Sequence, residues 1–208
     1  MMSAQHKLIL NEDEIDCLQE LMNISYGCAT AAIAEIIDKF ATLNIPKIQT
    51  ASMSEFREYL KNKFDHNIPH YVTNQAINGS LNGENMFIMD EKSTYNLAKE
   101  FDLDDSEIDE EELKDVILEI SNIISSTTLS KLATLFEASV IFSPPSIKIV
   151  NSINDFRNNF ENEYKHIIII STEIKFEDQN IQGELLILSK DDSITYIKNA
   201  LNKILEEF

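Results

Sequence analysis

Hydrophobic positions along this chain follow a helical period, then a strand period, and the succession runs twice. Ile15, Leu18, Met22, Ser25, Ala29, Ala32, Ile33 and Ile36 recur at three- and four-residue intervals, which predicts a long amphipathic helix capped by Asn11 or Asp13. In the second half Leu113, Ile117, Ile120, Ile124, Leu132 and Leu135 repeat that pattern. A proline-bearing β-leaning segment follows each helix, Leu43 to Ile48 and Ile141 to Ile147. Proline has no N–H, so both segments are expected as edge strands or strand starts. Shorter helices are expected near Ser54 to Phe64 and Ile153 to Tyr164. Strands follow at Tyr71–Asn82 and Met86–Met89, and again at Ile167–Phe176 and Leu185–Leu188, with closing helices at Lys92–Phe101 and Ser193–Glu206. Gly83 and Gly183, each followed by Glu, are expected in turns where a side chain would obstruct close backbone approach.

The fold class expected is therefore α/β of the α+β type. It is a tandem duplication of a helix-strand-helix-strand-strand-helix unit, with about six strands. Neither unit can bury its sheet alone. Residues 1–208 are accordingly expected to form one domain of two repeats, about 11–101 and 110–207, joined by an acidic segment.

Composition narrows the partners. The net charge of −19 argues against nucleic acid or an anionic membrane. Eight acidic residues lie between Asp102 and Glu112, a run read here as a solvated linker. No stretch is long and apolar enough to cross a bilayer, and Met1 to Leu10 lacks a secretory apolar core, so a cytoplasmic location is expected. Cys17 and Cys28 have neither zinc-site nor redox-pair spacing, and Cys28 is expected to be buried. His66 and His70 share an i,i+4 spacing but have Pro69 between them and no third ligand, so no metal site is expected.

The candidate chemistry is in the two long helices. Asp16, Glu20 and Asn23 are followed by Pro46; Asp115, Glu119 and Asn122 are followed by Pro145. Both sets read Asp-x3-Glu-x2-Asn-x22-Pro, offset by 99 residues throughout. At about 100° per residue each trio occupies a sector of roughly 60°, turned roughly 140° from the apolar stripe. A single such ridge is ordinarily a solvated helix face; two matched ones are not explained by solvation. P-loop, dinucleotide-binding, nucleophile-elbow and zinc-protease motifs are absent.

This doubled motif resembles the signature of the CheC/CheX/FliY phosphatase family, and the likeness extends along essentially the whole chain. Two motifs in one chain resemble the CheC type most. The family's glycine-rich sequence after Asn is kept only as Gly27, so the second site departs further from the pattern. The resemblance implies hydrolysis of an aspartyl-phosphate on a CheY-type response regulator in chemotaxis. Asn23 or Asn122 would orient the attacking water, and Glu20 or Glu119 would dock on a lysine of the regulator. Asp16, Asp115, Pro46 and Pro145 would support the site. No cofactor of its own is implied; magnesium is expected in the regulator. The competing expectation is a non-catalytic module that binds a response regulator or the deamidase CheD.

Overall fold

A computed structural model describes residues 10–37, 41–64, 68–101, 103, 108–152, 155, 166–176 and 180–207. The elements, in chain order, are α1 (Glu12–Ile37), β1 (Ala41–Leu43), β2 (Lys47–Ser52), α2 (Met53–Phe64), β3 (His70–Gly79), β4 (Gly83–Asp90) and α3 (Glu91–Lys99). They continue with α4 (Glu110–Leu135), β5 (Val140–Phe142), β6 (Ser146–Val150), β7 (His166–Phe176), β8 (Ile181–Ser189) and α5 (Asp191–Leu205). The short helix expected near Ile153 to Tyr164 lies almost wholly outside the described residues.

Helix starts follow the local chemistry. Asn11 Oδ1 accepts from Glu14 N at 2.9 Å, and Glu14 Oε2 accepts from Asn11 N at 2.8 Å, so α1 opens with a reciprocal capping box. Asp109 accepts from the backbone of Glu111 and Glu112 at the head of α4. The acidic run is thus more than a linker: Asp109 to Glu112 form the N-terminus of α4, where the helix dipole favours negative charge.

The strands form one antiparallel sheet ordered β1-β7-β8-β4-β3-β5, with β2 also on β7 and β6 also on β3. Among the described residues eight strands replace the expected six because each proline segment is broken in two. Leu43 faces Ile174 and Lys47 faces Ser171, so three residues oppose two. Phe142 faces Ile77 and Ser146 faces Asn74, giving the same count. These are matched bulges, and a proline without an N–H costs nothing at an interruption of the ladder. Both proline segments lie at sheet edges, as expected.

The halves meet where β4 pairs with β8: Gly83 faces Ser189, Met86 faces Leu186 and Met89 faces Gly183. An offset of 100 maps this ladder onto itself about the Met86–Leu186 pair, a register compatible with the expected duplication. The edge strands are exchanged, however. β1 and β2 from the first half pair with β7 of the second, and β5 and β6 pair with β3 of the first.

On one sheet face, α1, α3, α4 and α5 close the main core around Leu18, Met22, Ile117, Ile120, Phe87 and Leu185. On the other, α2 inserts Phe56, Leu60 and Phe64, spaced one turn apart, against Val72, Met86, Ile169 and Leu186. Full burial of each such side chain stabilises by roughly 1.5–3 kcal/mol. Two details depart from the periodic pattern. Ile36 is 45% exposed, because Ile37 takes the buried place four residues after Ile33. Cys28 is exposed, being turned about 100° from buried Ala29 and off the stripe.

The glycine turns are also corrected. Gly83 opens β4, and Gly183 lies inside β8. Close approach does explain both. A Cβ on Gly83 would fall 1.9 Å from the Leu188 carbonyl oxygen, and one on Gly183 would fall 2.8 Å from the Phe87 ring.

Candidate functional site

Asp16, Glu20 and Asn23 are all exposed on α1, and Asp115, Glu119 and Asn122 are all exposed on α4. Each ridge therefore faces away from the core, as the helical spacing requires. Helix α1 packs beside α4 over the same sheet face. Among the described residues, Asp16, Glu20, Asn23, Asp115 and Glu119 have no hydrogen-bond or ion-pair partner for their side chains. Five of six motif side chains are thus available to another molecule. The sixth, Asn122, accepts at Oδ1 from Gln75 Nε2 at 3.2 Å.

The motif prolines set the loops beside the ridges. Pro46 is buried, and its carbonyl accepts from Gln19 Nε2 at 2.9 Å. Gln19 immediately precedes Glu20, so this bond ties the β1–β2 bulge to the first ridge. Leu118 occupies the equivalent place on α4 and has no such donor. There the β5–β6 bulge is held from the sheet: Gln75 Nε2 donates to Ser143 O at 2.9 Å. Ser143 Oγ accepts from Ala76 N at 3.0 Å. Half-buried Pro145 follows two residues later.

The helix anchors differ too. Glu14, 2% exposed, pairs with Lys198 of α5 at 2.7 Å and accepts from Asn202 at 3.1 Å. Burial works to raise its pKa, but the bonds from Lys198, the Asn11 N–H and Asn202 outweigh this and hold it below the usual glutamate value. The equivalent residue on α4 is Leu113, buried in the main core.

Gln19, Gln75 and Ser143 were not singled out by the sequence pattern. Gln75 carried a faint signal, a polar residue at an inward position between Tyr71 and Ile77 of an alternating strand; the signal has meaning only once the buried face is known. A cavity of about 450 Å³ is lined by Tyr59, Lys63, Ser171 and Glu184, among others, and reaches Asn44, Ile45 and Lys47 of the β1–β2 bulge. It lies on the α2 side of the sheet, and its Glu184 is already paired with Lys63 at 2.5 Å and with Ser171 at 2.7 Å. His70 Nδ1 lies 2.7 Å from Ile68 O, and its ring packs edge-on against Phe64. Among the described residues no group of three acidic, His or Cys side chains is arranged to hold a metal ion. No described helix is long and apolar enough to cross a membrane.

Comparison with known proteins bears on the same elements. A family model described as chemotaxis phosphatase CheX matches residues 71–153, which hold β3, β4, α3, α4, β5 and β6. The CheY-P phosphatase CheC of Bacillus subtilis is 22% identical over 202 residues, spanning 92% of this chain and 95% of that one. The crystal structure of Thermotoga maritima FliY superposes with a TM-score of 0.71 at 19% identity, covering 93% of this chain and 98% of that one. The FliM middle domain from H. pylori gives 0.59 at 12% identity, with 93% and 99% covered. The doubled motif on its two ridges, the CheX match across α4, the CheC relative along the chain and the FliY-like fold make this protein similar to the CheC/CheX/FliY chemotaxis phosphatases.

Proposed function

We propose that this protein hydrolyses the aspartyl-phosphate of a CheY-type receiver domain at its two helix ridges. The observation that carries this reading is the pair of matched, exposed Asp-Glu-Asn sets, whose glutamates have no partner among the described residues. The relationship to a CheY-P phosphatase supports it.

An aspartyl-phosphate is an activated acyl phosphate, so its hydrolysis needs a positioned water more than a strong base or a covalent nucleophile. The carboxamide of Asn23 or Asn122 both donates and accepts, which suits it to orient a water in line with the scissile P–O bond. Glu20 or Glu119, one turn away, would pair with a lysine of the receiver and set the register of docking. Asp16 and Asp115, a further turn back, would border the docking surface. The magnesium ion would belong to the receiver's acidic pocket.

Phosphate release from a phosphorylated receiver tests the reading. The Asn23→Ala/Asn122→Ala double variant is expected to lose about 100-fold or more in rate, and undiminished release would refute the role given to asparagine. Glu20→Lys and Glu119→Lys are expected to weaken receiver binding; unchanged affinity would contradict the docking role.

A second reading, non-catalytic capture of a receiver or of the deamidase CheD, has one observation in its favour. The same fold occurs in FliM of H. pylori, solved in complex with FliG, at a TM-score of 0.62. Turnover decides: many phosphoryl groups lost per molecule of protein supports hydrolysis, and stoichiometric protection supports capture.

A further inference from the structure

The two motif asparagines are held differently, and the difference originates in the sheet beneath them. Gln75 lies on β3, 3% exposed, and faces α4. Its orientation is dictated by the Ser143 backbone carbonyl 2.9 Å away. That oxygen only accepts, so the Gln75 atom facing it must be nitrogen. Turning the amide over would set two oxygens against each other. The second N–H of the same group points to Asn122 at 3.2 Å, so the Asn122 atom facing inward must be Oδ1. Asn122 Nδ2, with its two donors, is then the outward end.

The first site lacks this chain of constraint. Ile174 faces Leu43 as Ile77 faces Phe142, so Thr172 stands on β7 where Gln75 stands on β3. Thr172 Oγ1 donates to Asn44 O at 2.6 Å, the carbonyl equivalent to that of Ser143. A threonine hydroxyl has one donor and a short reach, so nothing is left for the helix. Among the described residues, Asn23 has no hydrogen-bond partner. A second amide reinforces the contrast. Asn85, opposite Gln75 in the sheet, donates to Ser125 of α4, while Leu185 is its counterpart in the other half.

We infer that Gln75 is a positioning residue for the second site: it holds the Asn122 carboxamide in one orientation, with its donors presented to the bound partner. The first site must select that orientation from a side chain that has no hydrogen-bond partner among the described residues. This rests on the proposed phosphatase reading and makes the second site the faster of the two.

The test measures phosphate release in single-site backgrounds. With Asn23→Ala, only the second site acts; there Gln75→Met, which keeps length and removes both donors, is expected to lower kcat about tenfold, the worth of roughly one hydrogen bond. KM is expected to stay within about twofold. The same change in the Asn122→Ala background is expected to have an effect at least about fivefold smaller. Equal losses in both backgrounds would show a merely structural role and overturn the inference, as would no loss with Asn23→Ala. Gln75→Leu serves as the second variant, with thermal unfolding recorded for each. If the double asparagine variant keeps full activity, the phosphatase reading itself falls; if that variant is inactive but Gln75→Met is not impaired, only the inference falls.

Discussion

The two ridges offer the same three side chains at the same spacing, yet they rest on different foundations. Helix α1 is tied by ionic and loop bonds: Glu14 to Lys198, and Gln19 to Pro46 O. Helix α4 is tied to the sheet by amides, Gln75 and Asn85, and sets Leu113 of its first turn in the core. A motif repeated on a surface therefore does not imply a repeated environment. On the proposed reading, the side chains that meet a partner keep their identity because the partner's chemistry is common to both sites. Those beneath need only hold a helix, which several chemistries do about equally well.

Matched glycines give the largest test of this comparison. Gly83→Ala sets a Cβ against the backbone oxygen of Leu188 in a central strand pair, where nothing can yield. A loss of at least about 4 kcal/mol is expected in denaturant unfolding. Gly183→Ala meets side chains of Phe87 and Met89 that can shift, and about 1–3 kcal/mol is expected. Equal costs would show that the halves are packed alike after all.

Anchoring comes next. Glu14→Ala removes the carboxylate paired with Lys198, whose side chain is 17% exposed, so a cost of about 2–3 kcal/mol is expected, below that of a fully buried pair. The sign of its pH dependence follows from its lowered pKa. Its stabilisation is fully present above the ordinary glutamate value of 4.5 and is lost as pH falls through the depressed folded value. Urea unfolding of wild type and Glu14→Gln between pH 3 and pH 7 checks this. The two curves should converge at the acid end, and parallel curves would dissociate Glu14 from the effect.

Single-site kinetics are expected to be unequal. Asn122→Ala should remove most of the phosphate release, about tenfold, and Asn23→Ala much less. The reverse order would make the looser site the working one.

The smallest effect concerns Gly27, which lies on the exposed flank of α1 with nothing within 4 Å of an added Cβ. Gly27→Ala should stabilise by about 0.5–1 kcal/mol through helix propensity and lower unfolded-state entropy. If a receiver approaches closely there, binding at the first site should weaken while the melting temperature rises. Unchanged affinity would mean that the retained glycine serves no docking purpose.

Much of this was legible in the sequence, for identifiable reasons. Helical spacing is set by backbone geometry, so the exposure of Asp16, Glu20, Asn23 and their counterparts followed from counting residues, as did the burial of Leu18 and Ile117. Proline's missing N–H placed Pro46 and Pro145 at sheet edges. Where counting failed, the deciding contact came from far along the chain. Ile36 is exposed because neighbouring elements choose which edge of an apolar stripe to cover. Each proline segment split in two because its partner strand is two residues long where the bulge is three. The exchange of edge strands between halves was outside the reach of any local pattern. Hydrogen-bonded ladders are satisfied equally well by either half's central strand, and only global packing selects one. The same holds for Gln75. A single glutamine in a strand acquires meaning from a carbonyl 68 residues away and an asparagine 47 residues away. Periodicity and motif spacing determined which side chains the two ridges expose; tertiary structure alone decided which asparagine is hydrogen-bonded from the sheet, because that depends on long-range hydrogen bonds whose partners no local sequence specifies.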